Sequence, residues 1–439
     1  MKHTYLGLIA CLIWNCSKED TNDIVAKVGF CNLTTYEFIS SYSQKLLSNT
    51  VQDSKFERER HLAQLIKNSL FADAAIRDGL QLDTISNYVF KLDSIKIIRQ
   101  GLHSRIKKSN KVKVNQQLIK RHYKWMNREC EIRHLFFQDS LNAFDTFQKV
   151  KSGIEKFESV AESIFKNDVL KSNGGYLGWI VYNDLDPNLE KHIFDAPINI
   201  LIGPIRSSYG WHIVEKLDER NQIFIDSVEY KLKKQSIVEN IIKKNQQIGS
   251  DQYVNNLMLK KNISIDDTLV NFATQMILII TNSDIKHSEK ELRLNSEKRI
   301  LFGISKLKEM ANETLATYDD GSFSIQDLID GAKSLNIQKY KSSPENIFYK
   351  SLRNKILFEE GLKNRIQYER EIKLRLRDKK EDLYSRIYLD TYFWNKSENS
   401  FPKAIYNNLA DSLRTISKPE IYWHTFDSIF KNKLDIKTL

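Results

Sequence analysis

With 439 residues, 41% of them hydrophobic, 28% charged, and only 15 glycines and 6 prolines, the chain is long enough for about three domains and reads as globular and helix-rich, which excludes a low-complexity linker. Its formal charge of +11 raises nucleic acid as a partner, but the lysines are dispersed among glutamates, and the opening residues, taken next, read as an export signal, which together argue against that class. The basic surface points instead to an anionic membrane face or to unfolded polypeptide clients, with most of it serving as solvated helix face.

Met1-Lys-His-Thr4 is a short basic segment, and Tyr5 to Trp14 is an apolar stretch of about ten residues, too short to cross a bilayer as a helix. Asn15 and Cys16 follow, then Ser17-Lys-Glu-Asp20. This arrangement resembles a bacterial lipoprotein signal, which implies that residues 1–15 are removed and that Cys16 is acylated as the mature N-terminus. Leu8-Ile-Ala-Cys11 fits the usual cleavage motif better, but choosing Cys11 leaves an apolar core of only about six residues, so Cys16 is preferred. The resemblance implies a cell-envelope protein, lipid-anchored to a membrane and facing the periplasm. Outside the signal only Cys31 and Cys130 remain as candidates for a disulfide, and their separation says nothing about pairing. No Cys/His grouping has metal-ligand spacing, and the chemistry argued below needs no cofactor.

Asp23 to Gly29 alternates as a strand, Asn32-Leu-Thr-Thr35 reads as a turn, and Tyr36-Glu-Phe-Ile39 begins a helix. A long helical region follows, most periodic from His61 to Phe71. Residues 16–130 thus form an N-terminal, mainly helical module.

The run 131–220 carries the residue types hardest to obtain by accident. Glu131-Ile-Arg-His-Leu-Phe-Phe-Gln138 is a strand with His134 inside it, followed by the turn-prone Asp139-Ser140. Leu141, Phe144 and Val150, then Phe157, Val160 and Ala161, recur at helical intervals and give two short helices broken near Gly153. Asp168 and the segment Asn173-Gly-Gly-Tyr-Leu-Gly-Trp179 come next, the paired glycines turning the backbone into a second strand. Pro187 opens a helix through Leu189, Ile193 and Phe194, and Gly203 to Val214 reads as a hairpin whose last strand holds His212.

This pattern resembles the parvulin family of peptidyl-prolyl isomerases across the whole of the family's domain. The likeness rests on His134, Asp168, Gly174-Gly175-x-Leu177-Gly178-Trp179, Leu185-x-Pro187, Phe194, Gly203-Pro204 and Gly210-Trp211-His212-Ile213. It implies that Leu177, Leu185 and Leu189 wall a pocket for the proline ring, with Phe165 and Tyr209 at its margin. It also implies that His134 and His212 lie back to back beneath that pocket, linked through hydroxyl groups to the third catalytic residue, Asp168. Tyr176 departs from the aspartate usual after the paired glycines, and Leu189 stands where many members carry Phe, leaving a roomier pocket. The loop Gln138 to Asn142 has no basic residue, which argues against phosphoserine-proline specificity.

Residues 221–439 are again mainly helical, and Met276 to Ile280 reads as a buried segment or short strand. An offset of 290 residues carries Val25 onto Leu315 and Thr34 onto Ser324, while Asn68 and Leu102 fall on Asn354 and Leu383 at slightly smaller offsets. A second copy of the N-terminal module is therefore expected over about 312–395, joined by a helix with Ile300, Ile304 and Leu307 on one face. The expected fold is α+β: a central parvulin domain, a small antiparallel sheet with flanking helices, between mainly helical regions. The order of parts resembles the SurA and PrsA type of folding factor. It implies an isomerase and chaperone whose partners are unfolded or proline-containing exported polypeptides and a membrane, reached through the lipid anchor. A catalytically idle parvulin fold, acting as holdase or as a subunit of an assembly machine, remains the alternative.

Overall fold

The computed structural model describes residues 23–48, 52–207, 209–221, 227–281, 305–340, 343–393 and 403–431. Cys11, Cys16, Ile300 and Ile304 lie outside the described residues; Leu307 is buried. The chain forms two compact units, one from His103–Asn262 and the other from the segments that precede and follow it.

At the N-terminus β1 (Ile24–Val28) and β2 (Cys31–Thr34) form an antiparallel hairpin. The expected turn at Asn32–Thr34 is instead the return strand, and the chain reverses at Gly29 and Phe30. Four residues are too few to display an alternating pattern, which is why the strand escapes a sequence reading. Gly29 adopts a φ of +55°, and any side chain there would collide with the Asp73 carboxylate, which accepts the Phe30 N–H at 2.8 Å. Three helices follow: α1 (Thr35–Ser48), α2 (Lys55–Arg77) and α3 (Thr84–Ser109). The Ser54 hydroxyl caps α2 by accepting from the Glu57 N–H, and Leu62, Ile66, Leu70 and Phe71 recur at helical spacing on its buried face.

The middle unit contains α4 (Gln116–Met126), β3 (Arg128–Phe137), α5 (Ser140–Lys151), α6 (Phe157–Ile164), α7 (Asp168–Ser172), β4 (Tyr176–Ile180), α8 (Pro187–Ile193), β5 (Ile200–Arg206), β6 (Trp211–Asn221) and α9 (Ser227–Leu259). Its four strands make an antiparallel sheet in the order β4-β3-β6-β5. Strand alternation separates two cores. Cys130, Ile132 and Val214 pack with Trp125, Leu189, Ile193 and Phe194, whereas Leu135 and Ile213 pack with Phe157, Val160 and Ala161. The unit extends beyond the sheet through α4 and α9, which share a core of Ile119, Tyr123, Ile237 and Ile241.

The remaining elements are β7 (Ser264–Ile265), α10 (Asp267–Thr281), β8 (Thr314–Tyr318), β9 (Gly321–Ser324), α11 (Ile325–Ala332), α12 (Glu345–Lys363), α13 (Arg370–Phe393), α14 (Lys403–Ser417), β10 (Glu420–Ile421) and α15 (Trp423–Lys431). Met276 to Ile280 lies within helix α10, with Ile277 and Leu278 buried, so length rather than apolarity decides its conformation. The 290-residue offset carries β1 and β2 onto β8 and β9, and the first residue of α1 onto the first residue of α11. Each hairpin acquires a distant third strand: β10 joins β1, and β7 joins β8. The two halves also exchange long helices. Tyr384 and Tyr388 of α13 enter the core around α2, where Tyr388 stacks on Phe71. From α3, the Tyr88 hydroxyl donates to Asp330 of α11 and Lys91 pairs with the same carboxylate at 2.8 Å.

Cys31 and Cys130 are both buried free thiols, each enclosed by a different core, so neither stands ready for a disulfide. Burial pushes both thiols up from their usual range.

The exchange makes a testable demand on a position far along the chain. Tyr388→Ala should destabilise the N-terminal hairpin by about 3 kcal/mol, as expected for removing a buried aromatic. Hydrogen exchange should show faster exchange at Ala26 and Val28, with the amides of β8 and β9 unaffected. Equal loss in both hairpins would contradict the shared core described here.

Candidate functional site

The register of β3 against β6 sets Phe136 opposite His212 and His134 opposite Val214, so both histidines point from the same sheet face on neighbouring strands. Their rings stack with centroids 6.0 Å apart and planes inclined by 25°. Phe165 closes one side, 5.3 Å from the His134 ring, and Phe136 lies 5.1 Å from the ring of His212. Ser207 is the polar partner: its hydroxyl lies 2.8 Å from Nε2 of His212. Ser207 is itself fixed, its N–H donating to the Gly210 carbonyl and its Oγ accepting from the Tyr209 N–H. The Nδ1 atoms of His134 and His212 are buried and have no hydrogen-bond partner among the described residues.

This environment decides the charge state. Burial lowers the His212 imidazole to about 4, with the neighbouring His134 adding to the effect and Asp186 opposing it. Burial likewise depresses His134, opposed by the Gly175 backbone. Near pH 7 the site therefore holds two neutral imidazoles.

The paired glycines bring the second strand against the first. Gly175, at a φ of +76°, accepts the His134 N–H at 2.8 Å, and a side chain there would overlap the His134 carbonyl. Asn173 clips the turn at both ends: it accepts from the Tyr176 N–H and donates to the Tyr176 carbonyl, each at 3.0 Å. Tyr176 can therefore replace the expected aspartate without loss of the turn, and its hydroxyl reaches across to Glu131. Asp139 caps α5 by accepting from the Asn142 N–H, which gives the acidic loop after β3 a structural role.

Among the described residues no hydrogen bond joins Asp168 to His134 or His212. Asp168 is exposed in the first turn of α7, beside Asn167, whose side chain caps that helix by accepting from the N–H groups of Val169 and Leu170. An acidic residue also suits a helix N-terminus on its own account. The hydroxyl that does meet His212 belongs to Ser207, five residues before it.

The expected pocket residues divide by burial. Leu177 is 41% exposed on β4, where the pairing with β3 shifts between Ile132 and Arg133. Leu185 is half-buried and packs against the core that encloses Leu189. Leu189 is only 6% exposed and packs in the core beside Ile193 and Phe194. Phe165 is half-buried against the Leu135 core, and Tyr209 is 75% exposed. Sequence reading missed Ser207 and Phe136. Phe136 could have been found from period-two alternation with His134; Ser207 has no signal beyond its place at the hairpin end.

Comparison with known proteins places relatives along the same stretch of chain. Residues 142–218 match the family model described as "Rotamase: PPIC-type PPIASE domain". The chain is 23% identical over 253 residues to the foldase protein PrsA of Bacillus subtilis, covering 57% of this chain and 82% of that protein. It is 24% identical over 196 residues to a probable parvulin-type peptidyl-prolyl cis-trans isomerase of Bordetella pertussis, covering 42% of this chain and 74% of the relative. Over 101 residues it is 30% identical to the chaperone SurA of Methylobacillus flagellatus, covering 21% of this chain and 23% of SurA. The chain thus carries a PPIC-type peptidyl-prolyl isomerase domain of the parvulin kind, and its homologues include the foldase PrsA and the chaperone SurA.

Proposed function

We propose that this protein is a bacterial envelope folding factor that binds unfolded exported polypeptides and accelerates exchange of their X-Pro bonds. The observation that carries this reading is the neutral, stacked His134–His212 pair, oriented by Ser207, in a sheet whose neighbouring strand presents a part-exposed Leu177. Rotation about a peptide bond is resisted by amide resonance, about 18–20 kcal/mol, and breaks no covalent bond. A catalyst therefore needs neither nucleophile nor transferred proton; it needs to fit the twisted amide better than the planar forms. Neutral imidazoles supply polar shape without a charge that would hold the carbonyl in its charge-separated resonance form. Leu177, Leu185 and Leu189, with Phe165 and Tyr209 at the margin, would seat the proline ring and exclude water from the carbonyl. Desolvation weakens that resonance form and softens the C–N bond.

The helical unit would supply holding surface for the unfolded client. Support for an envelope location comes from the apolar leader ending at Cys16, which would carry the lipid anchor and face the periplasm. Among the described residues no helix is long and apolar enough to cross a membrane.

In a proline-peptide assay, His212→Ala and Ser207→Ala should each lower kcat/KM by about tenfold, equivalent to about 1.4 kcal/mol of transition-state stabilisation. Asp168→Ala should change it by less than about twofold on the same scale. A loss at Asp168 as large as at His212 would return that carboxylate to the catalytic group. No acceleration by the intact chain would leave a holdase that uses the domain as a platform.

The pH dependence follows from the depressed imidazoles. Turnover should stay level from neutral pH down to about 5 and fall as His212 takes up a proton towards about 4. Because the unfolded histidines titrate near pH 6.5, the unfolded state binds more protons between that value and 4. Stability is accordingly full above about pH 6.5 and declines as pH drops through that window. A turnover midpoint near 6.5 would show that the histidines are not buried as described.

A further inference from the structure

A cavity of about 410 Å³ lies beside the histidine pair without including either ring, bounded by residues Ile202 to Arg206 of β5 and by Ser207, by Asn188 and His192 of α8, and by Asp251, Gln252 and Asn255 of α9. Its volume falls within the range of about 300–1,000 Å³ usual for ligand sites. Two features of the β5 wall identify the chemistry it suits. First, β5 is the edge of the four-stranded sheet, and among the described residues no strand covers its outer side. Second, Gly203 and Pro204 drop out of the ladder, for Ile202 pairs with Val214 and the next paired residue is Ile205, opposite His212. Their main-chain groups have no ladder partner on β6, and proline cannot donate.

Such an edge cannot take a full-length strand, because the bulge and Pro204 interrupt its pairing. A short extended peptide is another matter. The opposite walls carry the carboxamides of Asn188, Gln252 and Asn255, and a carboxamide offers the same donor and acceptor as a peptide group. Their placement follows from α8 itself, where Leu189 turns into the core while Asn188 and His192, four residues apart, line the cavity. Burial depresses the His192 imidazole, so this wall carries no histidine charge near neutral pH. Recognition by main-chain groups and carboxamides reads backbone rather than side chains, which suits a client of varied sequence. Ser207 joins the two places, lining the cavity while holding Nε2 of His212 at 2.8 Å.

We propose that this cavity is a second polypeptide subsite, which holds in extended form a stretch of the same client chain whose proline occupies the histidine site. The proposal rests on the isomerase reading above for the identity of the client as polypeptide. Occupation of the subsite adds contact to residues flanking the proline and so favours long unfolded chains over short peptides.

The test uses the full chain and a Gln252→Ala, Asn255→Ala double variant, which places good helix formers at two α9 positions. Two substrates are compared: a blocked tetrapeptide with one proline, and a longer peptide carrying the same proline with polar flanks. KM for the longer peptide should rise about tenfold with kcat unchanged, while the tetrapeptide is processed as by the wild type. Direct binding is followed by fluorescence anisotropy with a proline-free peptide of the same flanks. It should weaken about tenfold in the variant, and also when flank amides of the peptide are N-methylated. Unchanged KM and unchanged binding in the variant would overturn the subsite, as would equal impairment with the tetrapeptide. Absence of turnover with either peptide, together with binding that depends on Gln252 and Asn255, would overturn the isomerase reading and support the subsite.

Discussion

Two uncharged imidazoles must be kept dry and face to face, and much of the middle unit follows from that requirement. Stacking at 6.0 Å with both rings neutral is possible only where burial outweighs the tendency of histidine to take up a proton. The β3–β6 register does the positioning. Moving either strand by one residue would send its histidine through to the opposite face, among Leu135, Phe157 and Ile213. Glycine at 175 then lets the chain before β4 approach the His134 carbonyl closely, beside Phe165.

A second constraint concerns α8, which carries Leu189 on one face and Asn188 on another. It is tied to α9 by the buried pair Glu190 and Lys244, with Glu190 also accepting the Asn183 N–H. Burial raises the Glu190 carboxyl and lowers the Lys244 amine, so for both groups loss of hydration outweighs mutual attraction. A pair of this kind adds little net stability, yet removing one partner strands the other without compensation. Its value is geometric: α8 and α9 are held in one alignment, and with them Leu189 and two walls of the neighbouring cavity.

What the sequence made legible divides along the same physical line. Glycines forced by backbone approach, a proline at a helix start, and histidines inside apolar strands carry local signatures, and each lies in the element its signature indicates. For Asp168, spacing alone cannot distinguish a carboxylate aimed at a histidine from one placed by a helix end. Ser207 was missed because a serine at a hairpin end is ordinary until the partner strand shows what its hydroxyl touches. Cys31–Thr34 was too short for periodicity, and Met276–Ile280 was apolar enough to hide its helical period. The crossing of α3 and α13 between the N-terminal and C-terminal segments has no local signature, since each helix would read the same packed on its own segment or on the other.

That crossing has consequences for how the chain can fold. The core around α2 includes Phe71 and Leu70 from early in the sequence and Tyr388, Leu413 and Phe426 from near its end, with residues 103–262 inserted between. No contiguous N-terminal segment contains that core, and β1 receives its third strand only from Glu420–Ile421. Such long-range contacts carry a loop-closure cost before they are rewarded. The middle unit, by contrast, draws its sheet and both cores from one continuous stretch. Its histidine site can be complete before the helical unit closes, so an isomerase domain of local topology can precede in folding the surface that would hold its clients.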